Sequence, residues 1–183
     1  MARASGFGGI NLRVVAAALA ILAAILAAGQ YMRAEKKAEP PPPVAAAPTV
    51  MKVVYHADYA DPRRFSAMLA SINNMVTTYQ SDLVEYDVRI VFVSHGIRFV
   101  TDDPLRGTLF AEDAALNERR QDLKARLQSL HDTQGVKLEL CNLTRVAINL
   151  DETKLMAGVE LVQSGVVRLA ELQRMGFAYI KIE

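Results

Sequence analysis

Among its 183 residues the chain has a single cysteine and no tryptophan. One thiol, Cys141, cannot form a disulfide within its own chain, and paired-cysteine zinc sites are excluded with it. Histidine is almost as scarce. His56, His95 and His131 lie far apart and give no HxxxH-type spacing, so no metal site is expected. Phosphate-binding loops are missing as well, since neither GxGxxG nor GxxxxGKS/T occurs. The GFGG at residues 6–9 precedes an apolar run and lacks a strand–helix setting, so no cofactor is expected. Charge of one sign is also lacking, with 21 Lys and Arg against 20 Asp and Glu. A near-neutral chain without a basic stripe is a poor ligand for nucleic acid, and that partner class is set aside.

The charges that exist are unevenly placed. Residues 1–49 hold Arg3, Arg13, Arg33, Lys36 and Lys37 against Glu35 and Glu39, whereas the rest of the chain is slightly acidic. Between Arg13 and Arg33 runs VVAAALAILAAILAA, residues 14–28. As a helix this run is about 22 Å long, and extension through Met32 with snorkelling arginines brings it near the roughly 30 Å hydrocarbon core. The expectation is a membrane anchor or signal peptide over 14–32, after a basic region at 1–13. Ala27-Ala28-Gly29 offers a small-residue cleavage site. Residues 33–49 contain Pro40 to Pro43 and Pro48, an extended spacer. The folded domain is then expected over 50–183, in the periplasm on the outer side of a bacterial inner membrane, tethered or released.

Within that domain hydrophobic periodicity alternates between two kinds. Met51 to Tyr55, Val88 to Val93, Val136 to Leu140, Val159 to Val162 and Ala178 to Ile182 read as five strands. Between the first two, Asp61-Pro62 starts a helix whose apolar face is Phe65, Met68, Leu69, Ile72, Met75, Val76 and Tyr79. Leu109, Leu116, Leu123, Leu127 and Leu130 mark a second helical face, with Asp122 and Arg126 paired at i,i+4. His131 falls at that helix's C-terminal end and reads as structural. Asn142 to Met156 reads as a short helix and a turn. Ser164 caps a last helix carrying Val166, Leu169, Leu172 and Met175, which Gly176 stops. Strands alternating with helices predict an α/β domain with a mostly parallel five-stranded sheet. The third strand alternates Val136, Leu138 and Leu140 with Lys137 and Glu139, which predicts an incompletely covered strand at a sheet edge or a subunit contact.

Small or polar groups gather where strands end: His56, His95-Gly96, Cys141 and Ser164. Open α/β sheets place ligands at such ends. A thiol just before a short helix feels the positive end of its dipole, which lowers its pKa. His56 or His95 is then a candidate base if its strand neighbours the third. Asn142 and Thr144 are candidate donors to a bound anion. The competing reading of Cys141 is a buried, inert thiol.

KVVYHAD at 52–58, VSHG at 93–96, GVKLELCNLT at 135–144 and GVELVQSGVVRLAELQRMGFAYIKI at 158–182 together resemble DsrE/DsrF-like proteins. The resemblance spans 51–183. It implies a flavodoxin-like three-layer α/β fold, usually assembled as trimers or hexamers. It also implies a cysteine that accepts sulfur as a persulfide and hands it to another protein, with Cys141 matching that cysteine. Three functional classes follow: a sulfur carrier or transferase working through Cys141, a non-catalytic small-molecule or anion-binding module, and an accessory subunit of a membrane-associated complex. Whether the chain is an enzyme stays open among them.

Overall fold

The computed structural model describes residues 21–26, 29–30 and 50–183. The chain divides into two units, Met1–Ala46 and Ala47–Glu183. In the first, residues 21–26 and 29–30 are helical and exposed. The rest of the expected 14–32 segment, and all of 1–13 and 33–49, lie outside the described residues. Among the described residues no helix is long and apolar enough to cross a membrane.

The second unit runs β1 (Met51–Ala57), α1 (Pro62–Ser81), β2 (Tyr86–Phe92), a 3-10 turn (Ser94–Phe99), α2 (Ala114–Asp132), β3 (Lys137–Cys141), α3 (Asn142–Ala147), a shorter 3-10 turn (Glu152–Lys154), β4 (Val159–Val162), α4 (Gly165–Arg174) and β5 (Ala178–Ile180). Local signals set most of these bounds. The Asp61 carboxylate accepts the Arg63 amide and Pro62 fills the first helical turn, where its missing N–H costs nothing. The hydroxyl of Ser164 caps the Val167 amide, and Gly176, at φ 88°, turns the chain out of α4. His131 is structural as expected: its Nδ1 lies 2.9 Å from the carbonyl of Val136.

All five strands are parallel, in the order β4-β3-β2-β1-β5. Helices α1 and α2 cover one face, burying Phe65, Met68, Ile72, Leu123 and Leu127 against Tyr55, Ile90, Phe92, Leu138 and Leu140. On the other face, among the described residues, α4 alone packs, through Leu169 and Leu172 onto Val54, Val91 and Phe177. These are the expected three layers. The strand order differs from the flavodoxin order 2-1-3-4-5, because the chain steps steadily from β1 to β4 before α4 carries it back across the sheet to β5.

Three expectations need correction. β3 is not an edge strand but lies between β2 and β4. Its alternating polar side is covered, and Glu139 is 1% exposed because two arginines neutralise it. Leu109 precedes α2 and is 87% exposed, since that helix starts only where Asp113 caps the Leu116 amide. Val166 is 66% exposed, because the stripe of α4 that meets the sheet runs through Gly165, Arg168, Leu169 and Leu172.

Gly96 packs where no side chain fits. A Cβ there would lie 2.0 Å from the carbonyl oxygen of Ala57. Gly96→Ala is expected to cost about 1–3 kcal/mol, as overpacking does, seen as a lower urea midpoint; an unchanged midpoint would show that β1 and the turn after β2 separate freely.

Candidate functional site

The connection from β3 to β4 places Leu150 and Met156 in the same core as α1 and α2, whereas α4, leaving β4, packs on the opposite face. The crossovers therefore change sides between β3 and β4. At such a reversal two neighbouring strands send their chains apart, and a crevice opens beyond their carboxyl ends. Cys141 is the last residue of β3 and pairs with Val162 of β4. The chain's one thiol thus stands at this reversal.

Cys141 also occupies the N-cap of α3, in extended conformation, and is 4% exposed. Its side chain makes no capping hydrogen bond. Burial pushes the thiol up, but the amides of Gly165, Thr144 and Leu143 and the hydroxyl of Thr144 act on the sulfur together and bring it below its ordinary 9.0. Two helices contribute, α3 through Leu143 and Thr144 and α4 through its first residue. Gly165 comes close because it lacks a side chain: a Cβ would lie 3.0 Å from that of Cys141 and 2.5 Å from Val93 Cγ2. The Thr144 oxygen accepts the Ser94 amide at 3.2 Å, which leaves its own proton free to donate to the sulfur. Ser94 sits at φ 53°, a conformation uncommon for serine, at the end of β2.

Below the thiol, on the same side of β3, the Glu139 carboxylate accepts two bonds from Arg168 of α4, at 2.7 and 2.9 Å. A third comes from Arg89 of β2 at 2.8 Å. Arg89 in turn forks onto Asp87 at 2.9 and 2.6 Å, and Lys137 reaches Asp87 at 3.2 Å. Burial pushes the Glu139 carboxyl up, and the hydrogen bonds and charges of both arginines outweigh it, leaving the group below its ordinary 4.5. Neither Arg89 nor Arg168 was singled out by the sequence. The available signal was Arg168 on the buried stripe of α4, next to Leu169.

The expected site residues divide. Thr144 and Ser164 lie with Cys141, one acting on the sulfur and the other capping α4 beside it. Asn142 adjoins the thiol, but its side-chain oxygen accepts from Arg145 Nε at 2.8 Å and holds α3 together. His95 follows Ser94, and its ring meets Phe110 edge-on at 5.1 Å with a buried Nδ1 lacking a partner. Gly96 packs under β1. His56 is not beside the thiol. β1 is separated from β3 by β2, so its backbone is about 10 Å away at the usual strand spacing. Its Nδ1 lies 2.9 Å from the Tyr179 hydroxyl, and Nε2 is 3.9 Å from Asp58, which is itself bonded to Lys181. Burial holds the His56 imidazole below its ordinary 6.5, against the pull of Asp58. Among the described residues no group of three or more His, Cys, Asp or Glu is placed to hold a metal ion.

Residues 49–182 match the family model described as DsrE/DsrF-like family. The chain belongs to the DsrE/DsrF-like family. Its fold is similar to that of MTH1491 from Methanobacterium thermoautotrophicum, a protein of unknown function, with 26% identity and a TM-score of 0.54 over 72% of this chain and 98% of that one. The ychN protein of E. coli also matches, with 19% identity and a TM-score of 0.45 over 72% of this chain and 99% of that one. No curated protein matches the chain.

Thr144→Val keeps the shape of residue 144 but removes the hydroxyl. Its Cys141 is expected to react with iodoacetamide at a midpoint shifted upward in pH from the wild type. Coincident pH profiles would show that the hydroxyl does not act on the sulfur.

Proposed function

We propose that this DsrE/DsrF-like protein is a sulfur carrier that holds sulfur as a persulfide on Cys141. The observation that carries the reading is the place of a lone cysteine: Cys141 ends β3 at the crossover reversal, at the N-cap of α3 and packed against Gly165, the first residue of α4. The amides of Gly165, Thr144 and Leu143 and the Thr144 hydroxyl favour its thiolate. Such donors stabilise an anion, and the thiolate is the nucleophile in sulfur exchange. The step balances without an external oxidant. Cys141 thiolate attacks the outer sulfur of a donor persulfide, a new S–S bond forms, the donor's S–S bond breaks, and the donor thiolate leaves with the electron pair. Transfer to an acceptor is the same exchange in reverse order. No second cysteine is present to resolve the persulfide into an internal disulfide, so the sulfur waits for another molecule.

The surroundings suit a carrier. Cys141 is 4% exposed, so little of the thiol is open to solvent. Leu143 and Val167 are exposed, and with Val162, Ser164 and Arg168 they line an open depression beside the thiol's strand end, a surface for a donor or acceptor protein or another copy of the chain. Assembly into trimers or hexamers and attachment to the inner membrane through 14–32, with the domain in the periplasm, belong to the same proposal. The support for attachment is the apolar run between Arg13 and Arg33.

Intact-mass analysis after exposure to a sulfane-sulfur donor tests the reading. The wild type is expected to gain one sulfur atom, removable by a thiol reductant, and Cys141→Ser is expected to gain none. No gain in the wild type, or equal gain in both, contradicts it; ligand binding retained in Cys141→Ser without sulfur loading would point to the anion-binding module.

A further inference from the structure

Gly165, the first residue of α4, packs directly against Cys141, where a Cβ on it would lie 3.0 Å from that of the cysteine. Among the described residues α4 is the sole helix on its face, and the residues it buries there are Gly165, Leu169 and Leu172. Its footing is electrostatic. Arg168 lies one turn beyond Gly165, and Glu139 lies two residues before Cys141 on the same side of β3. The two side chains meet as a fork, with two nearly parallel N–H donors on the two carboxylate oxygens at 2.7 and 2.9 Å. A fork of this kind fixes direction as well as distance. At the far end of α4, Lys52 donates to the Met175 carbonyl at 3.3 Å and the Arg89 guanidinium lies 5.1 Å above the Phe177 ring.

The geometry points to Arg168 and Glu139 as positioning residues for Cys141: their fork sets the N-terminal turn of α4 against β3 and so keeps Gly165, and with it the amide end of α4, against the cysteine. Neither residue contacts the reacting atom. The inference rests on the reading of Cys141 as the working thiol. Two spacings support it. On β3 the fork and the thiol are two residues apart, and on α4 the fork and the amide are three apart, so one rigid contact fixes its neighbour. Arg89 has a different part. Its doubled bonds go to Asp87, and it gives Glu139 a single bond that neutralises the carboxylate without touching α4's first turn.

Arg168→Gln tests the assignment, because Glu139 keeps Arg89 and is not left as a lone buried charge. Two quantities are read on the full-length protein: the titration midpoint of Cys141 and the hydrogen-exchange rate of the Gly165 amide. The fork predicts that both change. The midpoint is expected to rise by about one pH unit, roughly tenfold less thiolate at neutral pH, and Gly165 exchange is expected to accelerate while the Phe177 amide does not. A raised midpoint with unchanged exchange would mean that Arg168 acts only through its charge, and faster exchange with an unchanged midpoint would mean a structural role only; either overturns the inference. Should Arg168→Gln not fold, Glu139→Gln, which keeps the side chain's shape and leaves Arg89 on Asp87, is read by the same pair of measurements. Neither measurement involves sulfur loading. A wild type that takes up no sulfur therefore sinks the carrier reading alone, and a variant with an unmoved midpoint sinks the clamp alone.

Discussion

Glu139 places a carboxylate in the middle of a parallel sheet, and much of the domain's second face is arranged around it. Removing a carboxylate from water costs several kcal/mol even after relaxation. The charge is tolerated here because Arg89 approaches from the neighbouring strand and Arg168 from the helix above, saturating both oxygens. Lys137, Asp87, Arg89, Glu139, Arg168 and Glu171 then form a chain of alternating sign across β3, β2 and α4. Where α1 and α2 are held to the sheet by an apolar core, α4 is held by this chain and a small apolar patch. Apolar packing tolerates sliding, but a forked ion pair does not. The site side of the protein is thus the side whose geometry is specified by directional bonds.

The fold was legible in the sequence because periodicity, caps and stop residues agreed. Asp61-Pro62, Ser164 and Gly176 sit where they were read, and all five strands are present. What misled was polarity within β3. Alternation between Leu138 and Glu139 normally marks a wet face, and only the third dimension shows that an arginine three residues into α4 arrives to cover it. Leu109 failed for a simpler reason: it matched the leucine spacing, while the Asp113 cap started the helix beyond it.

The candidate site was legible in part. Cys141, Thr144 and Ser164 come together because Cys141 ends β3, Thr144 lies in the first turn of α3 and Ser164 caps α4, all at the β3–β4 reversal. His56 was grouped with them because it also ends a strand, and strand order cannot be read from strand ends alone. In the fold it joins Tyr179 and Asp58 instead. Gly165 and Arg168 went unnoticed as site residues because a glycine after a serine cap and an arginine on a helix are ordinary in sequence. Their meaning comes from what lies across from them.

These features place one demand on the chemistry: a lone, buried thiol must be ionised more readily than burial alone allows. Because Cys141 is the only cysteine, the ultraviolet absorbance of its thiolate can be titrated in the folded protein as the difference between the wild type and Cys141→Ser, which carries the same six tyrosines. The folded midpoint is expected below the ordinary 9.0 of a free thiol, rising toward that value when the protein is unfolded in denaturant. A folded midpoint at or above the unfolded one would contradict it, since burial would then outweigh the amides of Gly165, Thr144 and Leu143, and Cys141 would be an inert core thiol.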